Sequence, residues 1–593
     1  MAKKLAARLS QLESMRHCYG PGCARKVEEL LASFVRAKFR DPQSLTRFHD
    51  VVLFLRALPH SQRVVELSER LLAEVAQQVN KLRQSGADME EFDAEEVSGI
   101  AGTELNYTFT YEVAQWLQAR YPEHINAEWD FDEQASRLSV ALPRFVPLLE
   151  DDALVEADTP LDKWMSSAAG ERSKLAWLLK CLAEAPLTIS QKTELYDPLQ
   201  VDLHWDLTGS PASRTFARRP ISEVFLHQGP LIQRKEVSLA DELHSAPVPL
   251  RNLAPKEAEQ ILDVCRDAVT VRYRELYGTT RGDPNQCYQA DAGRGVQIFL
   301  WGLPPDRRLP LRAYHAGFTL KNGVPINYIE GISLFEWMEV GFNTFYTYRD
   351  GETAWIYSKV IHLLHQLTGV KCISVYPYQL GHKNEEAIKS GAFWFYRKFG
   401  FRPGRPDLLS LTQKEEEEIR KNPRHRTSTR TLRKLASEHI FYEFGEPPHG
   451  LWDTFSTRNI GIAVQLQMAK AFDGSADEMR RATTSSTARI LNVDISSWSE
   501  TERTAFANFA VVLSLVPGVK HWPVAERNAL VDIIRAKAAP DEGGYLRLLQ
   551  QHSKLRAAIL NLGSAGSSGI GGTEKPRAWQ IRNCVPRKSF LKG

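Results

Sequence analysis

Four groups of residues have types and spacings suited to chemistry. In Tyr348-Arg349-Asp350-Gly351-Glu352-Thr353-Ala354 a glycine-containing turn leads into a predicted helix. A helix N-terminus presents unpaired N–H donors and the favourable end of the dipole to an anion such as a pyrophosphate. His362 and His365, three apart on that helix, have a spacing that can share a metal. No carboxylate or cysteine stands at a supporting distance, so a helix-surface pair is the plainer account and no metal is expected. Asp202-x-His204-x-Asp206 puts three ligand types on one face of an alternating run, where surface hydrogen bonding serves equally well. Cys18 and Cys23, in His-Cys-Tyr-Gly-Pro-Gly-Cys, lack the second Cys/His pair a zinc site needs. The chain has no Walker P-loop, no Gly-x-Ser-x-Gly elbow and no His-Glu-x-x-His.

The elements that must hold these residues divide the chain. Residues 1–100 read as helices: Val27, Leu30, Leu31, Phe34, Val35 and Phe39 follow the period of one apolar face, and Ser61 after Pro59 is placed to cap another helix. Residues 101–245 are mixed α/β of unassigned fold, with Val201–Leu207 as a half-buried strand. From 246 to 410 the pattern is α/β: a helix Pro255–Tyr277, strands Val296–Leu303, Leu311–Leu320, Val324–Glu330 and Ile332–Tyr348, a helix Thr353–Leu367, a strand Lys371–Tyr378 and a helix Asn384–Phe399. Lys321-Asn322-Gly323 is a hairpin signal. Residues 411–450 read as a charged connector with Glu415–Glu418 followed by seven basic residues from Arg420 to Lys434. Residues 451–562 are again helical, and 563–593 read as a Gly/Ser linker and basic tail.

The stretch Gly391-Ala392-Phe393-Trp394-Phe395-Tyr396-Arg397-Lys398-Phe399-Gly400-Phe401 resembles the last helix and strand entry of the GCN5-related N-acetyltransferases, the GNAT family. Ala392, Tyr396, Lys398, Gly400 and Phe401 match that pattern in place, and the preceding strand, loop, helix and strand follow the family's order. The resemblance covers roughly residues 250–410. It implies an α/β (α+β) central domain with a mixed sheet, flanked by mainly α-helical domains. It implies acetyl-CoA or another acyl-CoA as co-substrate, held by Tyr348, Arg349, Asp350, Gly351, Glu352, Thr353 and Ala354, with Asn384 as a further contact or simply a helix cap. The family's loop pattern keeps only its glycine here: Tyr348 and Thr353 depart from it, and Asp350 and Glu352 would repel a phosphate unless they point away. Tyr396 matches the family tyrosine that protonates the departing thiolate, a transfer uphill by about 2 kcal/mol from unperturbed values; on its residues alone it also fits a core position in an aromatic helix.

An amine acceptor of ordinary lysine-like pKa is disfavoured as the free base by roughly 4 kcal/mol near pH 7. A carboxylate that takes its proton is therefore expected, and Glu336 and Glu339 are the candidates on the strand Ile332–Tyr348, with Glu330 and His315 behind them. Their odd separation would send Glu336 and Glu339 to opposite faces. The expected activity is transfer of an acyl group to an amine-bearing small molecule or protein. Two alternatives stand beside it: an aminoacyl transferase of GNAT-like fold using tRNA or a peptidoglycan precursor, and a non-catalytic binding or scaffold protein with helical regions as partner surfaces.

Composition sets the outer limits. The 593 residues are 43% hydrophobic and 25% charged, with Lys plus Arg 75 against Asp plus Glu 72, so several globular domains are expected and a chain-wide field for nucleic acid is not. Seven cysteines, odd in number and mostly far apart, point to reduced thiols, and no stretch is apolar for a membrane span, so a cytoplasmic location is expected.

Overall fold

The computed structural model describes residues 2–146, 160–445 and 449–564. Helix makes up 55% and strand 12%, and the strands form a mixed sheet, so the class is α+β. A small antiparallel sheet of β1 (Glu104–Thr108), β2 (Ile125–Glu128) and β3 (Asp202–Asp206) runs in the order β1-β3-β2. It packs Leu203 and Trp205 against Tyr111, Leu178 and Tyr196 in a core of its own. On its other face Asp202, His204 and Asp206 are each engaged, by Thr108, Glu128 and the Thr208 N–H.

The large sheet contains β4 (Leu250–Asn252), β5 (Cys287–Gly293), β6 (Val296–Trp301), β7 (Ala313–Lys321), β8 (Val324–Leu334), β9 (Trp337–Thr344), β10 (Cys372–Val375), β11 (Arg402–Pro403) and β12 (Ile440–Glu443). Its order is β11-β12-β10-β9-β8-β7-β6-β5-β4. From β4 to β9 it is an antiparallel meander; β9 and β10 are the one parallel pair among the described residues. A parallel pair needs a crossover, which the helix Thr353–Thr368 supplies. That helix buries Ile356, Tyr357, Val360, Ile361, Leu363, Leu364 and Leu367, and ends where Gly369 turns to φ +75°.

The N-terminal helices share the large sheet's core. Leu53 and Phe54 of the helix Pro42–Ala57, which Asp41 caps through the Ser44 N–H, lie in one continuous cluster with Phe318, Met338, Tyr357 and Phe401. Six C-terminal helices between Thr457 and Ser564 build a third core, joined to the sheet where Trp452 stacks on Trp337 at 5.3 Å. No described helix is long and apolar enough to cross a membrane.

Several expectations need correction. The run Ile332–Tyr348 is not one strand: β8 continues to Leu334, the chain reverses at Phe335 with φ +54°, and β9 starts at Trp337. Glu336 therefore lies in the turn, and the opposite-face reasoning for Glu336 and Glu339 does not apply. The helix expected over Asn384–Phe399 is two short ones, Glu385–Ser390 and Ala392–Arg397, separated by Gly391 at φ +71°. The charged segment after 410 is mostly helix, Pro406–Lys421 and Thr429–Leu435, and then returns β12 to the sheet between β10 and the edge strand β11. Cys18 and Cys23 are bonded rather than reduced: Gly20 and Gly22, at φ +137° and +80°, fold the intervening turn so that the Cα atoms stand 5.8 Å apart. Gly563 and Ser564 end a helix, and the rest of the expected linker and tail lies outside the described residues.

The hairpin Lys321-Asn322-Gly323 fixes the register of β7 and β8 with Asn322 at φ +49° and Gly323 at φ +77°. A Cβ on Gly323 would stand 2.3 Å from the Arg219 carbonyl oxygen, whereas one on Gly293, at φ +80°, would meet nothing within 4 Å. Gly323→Ala is expected to lower stability by about 2–4 kcal/mol and Gly293→Ala by about 1 kcal/mol, compared by urea unfolding midpoints.

Candidate active site

β9 and β10 pair over three residues only, Trp337–Glu339 against Cys372–Ser374. After Val375 the chain leaves the sheet: Pro377 starts the short helix Pro377–Leu380, and a proline cannot donate to a ladder. Val340–Thr344 consequently runs on without β10, and the two strands open. The side chain of Gln379 crosses the opening. Its Oε1 lies 3.5 Å from the Phe342 backbone N–H and 3.4 Å from the Tyr396 hydroxyl, each of which donates to it. Gly341 makes this approach feasible, because a Cβ there would sit 2.8 Å from Gln379 Nε2.

Adjacent residues of a strand face opposite ways, and here that separates two kinds of group. On the face of Phe342, Tyr357 packs at 5.1 Å from its ring and Tyr396 at 5.6 Å from Tyr357. Tyr396 is 4% exposed, enclosed also by Phe395 and Phe401, and burial pushes its phenol upward. On the face of Gly341, Glu330 stands directly opposite in β8, its Cβ 3.5 Å from the position a Gly341 Cβ would take. Burial raises the Glu330 carboxyl, and the Tyr314 hydroxyl that donates to it only partly offsets this.

Three carboxylates thus have three settings. Glu339, two residues from Gly341 on the same face, is pushed up by burial, but His439 at 2.9 Å and the nearby Arg312 outweigh that and hold it below the ordinary range. Glu336 is likewise opposed by burial and brought down by Arg556, with the Trp452 indole N–H donating at 2.8 Å. Glu336 lies at the far end of β9, lining a separate cavity of about 410 Å³ with Lys371, Glu443 and Trp452, and does not join Tyr396. His315 is 1% exposed and neighbours Tyr314, so it points to the sheet face away from Glu330.

The expected donor loop follows β9 through the turn Tyr346–Tyr348 into the helix at Thr353. Its side chains are engaged with distant parts of the chain. Asp350 accepts from Arg16 at 2.9 Å. Arg349 stacks on Tyr346 at 3.9 Å and pairs with Glu386. Glu352 is enclosed between Lys321, at 3.0 Å, and Arg294, with the Ile232 N–H at 3.3 Å. Tyr348 points inward, 2% exposed, and is no surface contact for a ligand. Thr353 turns its hydroxyl back to the Arg349 carbonyl. Among the described residues the N–H groups of Thr353, Ala354 and Trp355 meet no acceptor, and the two acidic side chains point away from them. Asn384 caps its own helix, accepting from the Ala387 N–H at 3.1 Å, and makes no approach to the loop.

The site is therefore a backbone slot and a set of N–H donors at a helix start, with a buried phenol on one face of the slot and a raised carboxylate on the other. Gln379 and Gly341 were missed in the sequence; a glycine inside a strand signals close approach, but nothing marked Gln379. His362 and His365 stay apart from it, bonded to Glu242 and to the Val370 carbonyl oxygen. Comparison with known protein families, curated proteins and solved structures finds no match to this chain.

Burial pushes the Glu352 carboxyl up, but Lys321 and Arg294 outweigh it and hold it below the ordinary range. Its stabilising contribution is thus complete above the unfolded value of about 4.3 and fades as pH falls through the lower folded value. Glu352→Gln leaves the Lys321 ammonium buried without its partner and is expected to cost about 3–5 kcal/mol at pH 7. The gap to the parent should narrow below about pH 4 in denaturant titrations; a gap independent of pH would contradict the assignment.

Proposed function

We propose that this chain is an acyl-CoA-dependent N-acyltransferase with a GNAT-like central domain, transferring an acetyl or other acyl group to an amine. The observation that carries the reading is the divergence of β9 and β10 after three pairs, with Tyr396 and Glu330 on opposite faces of the opening and Gly341 between them. The strand–loop–helix–strand order around that opening, and the Ala392–Phe401 motif beside it, support it further. So does the loop: Asp350 and Glu352 each have a cation partner, and no side chain caps the first-turn N–H groups.

In this reading the thioester enters from the helix side, and the Phe342 N–H and Tyr396 hydroxyl exchange Gln379 for the donor's amide and sulfur. The amine attacks the thioester carbonyl carbon from the Gly341 face; the C–N bond forms and the C–S bond breaks. Glu330, whose raised pKa brings it closer to working pH, takes the proton from nitrogen, and Tyr396 gives its proton to the leaving thiolate. Glu330 then releases its proton to solvent and Tyr396 regains one from solvent, so both residues are reset with no net proton change. Glu339, tied to His439, serves the face as a fixed negative charge.

One observation favours a second reading, a non-catalytic binding protein: the Gln379 carboxamide already satisfies the opening. Acetyl-CoA separates the two. Binding at 100 times Kd adds about 2.7 kcal/mol, read as a rise in Tm. Tyr396→Phe and Glu330→Gln should each retain binding yet lower thiol release in the presence of an amine panel by about 10²-fold or more. Glu330→Gln should also abolish the acidic limb of the pH–rate profile. Absence of acetyl-CoA from native mass spectra at millimolar ligand would leave the non-catalytic reading standing.

A further inference from the structure

Three arginines lie inside the molecule with no carboxylate on any of them. Arg56, at the end of the helix Pro42–Ala57, Arg214, in the loop after β3, and Arg272, at the end of the helix Pro255–Tyr273, are 3%, 4% and 6% exposed. Each donates to backbone carbonyls, Arg56 to Thr215 at 2.7 Å, Arg214 to Glu95 at 3.2 Å and to Glu96, and Arg272 to Ala268 at 2.9 Å; Arg56 also interacts with the Tyr348 hydroxyl, and Arg272 lies over the Phe345 ring at 4.4 Å. Arg56 Nε and Nη2, Arg214 Nε and the Tyr348 hydroxyl are buried with no hydrogen-bond partner among the described residues. Arg56 bonds the carbonyl of Thr215, the residue next to Arg214, and Arg272 lies over the ring of Phe345, whose carbonyl accepts from the Tyr348 N–H at 2.8 Å, so the four residues gather in one region. Asp50, which attracts Arg214 and Arg272, accepts from Thr347 at 3.1 Å and stands 3.8 Å from His49.

Such a cluster is out of balance. Buried guanidinium groups are ordinarily paired, and an unpaired buried charge is costly. Carbonyl dipoles, the Tyr348 hydroxyl beside Arg56 and the Phe345 ring under Arg272 take up part of this, but donors on Arg56 and Arg214 remain unmatched among the described residues. A tetrahedral oxyanion supplies several acceptors at once and suits the planar fork of arginine.

We propose that Arg56, Arg214, Arg272 and the Tyr348 hydroxyl form an internal site for a small inorganic oxyanion of the phosphate or sulfate type. The anion joins the N-terminal helices, the loop around Thr215 and the end of the helix Pro255–Tyr273 to the turn that opens the donor loop. The site stands independently of the acyl-transfer reading, since none of its donors faces the slot between β9 and β10.

The test uses the full chain purified in chloride buffer free of phosphate and sulfate. Anion released on acid denaturation is quantified by ion chromatography, and Tm is then measured in millimolar phosphate, sulfate, glycerol phosphate and chloride at matched ionic strength. Expected is close to one equivalent of oxyanion retained per chain, or a rise in Tm on the order of 3 °C with phosphate or sulfate beyond chloride. Glycerol phosphate should give less, because an organic tail does not fit an enclosed site; an equal rise would reassign the ligand to a phosphate ester and overturn the inorganic assignment. Arg56→Met and Arg214→Met should abolish the rise. Should those variants not fold, release from the parent protein decides. No retained anion together with a Tm indifferent to phosphate, or an undiminished rise in both variants, overturns the proposal.

Discussion

The backbone groups of β9 beyond Glu339 must find partners without β10. Strand pairing satisfies N–H and C=O groups only as far as the two strands run together, and here that is three residues. Pro377 fixes the end of β10, and the free edge of β9 then faces a dry interior lined by Tyr357, Tyr396 and Phe401. A polar side chain has to reach in, and Gln379 does. Its reach in turn requires Gly341, and its carboxamide gives the Tyr396 hydroxyl an acceptor in a place where a phenol without one would be costly. Slot, glycine, amide and tyrosine follow from one interrupted ladder.

The loop Tyr348–Thr353 carries a second constraint, and it ties the N-terminal helices to the sheet. Asp350 and Glu352 flank a helix start, and each needs a cation to direct it away from the loop face. Arg16 for Asp350 comes from 334 residues earlier in the chain, and Lys321 and Arg294 for Glu352 come from β7 and the β5–β6 turn. The strap at Ile232 closes on Glu352 from a third direction. Charges that would oppose an anion on a bare loop are thereby turned into ties between segments, and the loop geometry depends on the packing of regions well outside the central sheet.

Local chemistry was legible where one residue type dictates one conformation. Asn322-Gly323 read as a hairpin and adopts positive φ at both positions; Asn384 read as a cap and caps; the alternation in Val201–Leu207 gave β3 with its polar side outward. What was not legible involved either a residue acting against type or a partner far away in sequence. Phe335 takes a positive φ, uncommon for an aromatic, inside an apolar run with no Gly, Pro or Asn to mark the reversal, so Glu336 was placed on a strand it does not occupy. The strand β12 follows two helices in a segment whose charge pattern suggested only a connector. Of the acidic candidates, Tyr314 and His439 decide the setting of Glu330 and Glu339, and neither contact could be inferred from spacing.

That difference between neighbouring carboxylates limits which one can cycle a proton. Glu330 and Glu339 share a face and lie within two rungs of each other, both burdened by burial. Glu330 has only a neutral phenol for a partner, so its two protonation states are brought closer together near working pH. Glu339 has His439 and Arg312 beside it, so protonating it would forfeit attraction the carboxylate enjoys. Nor does the amide across the slot impede a donor by much. Gln379 makes two long hydrogen bonds through one carbonyl oxygen, and an incoming amide carbonyl offers the same acceptor to the same N–H. Exchange of one such bond for another changes little free energy, so in the proposed reading a donor would have to be favoured by the first turn of the helix at Thr353 and the apolar wall around Tyr357.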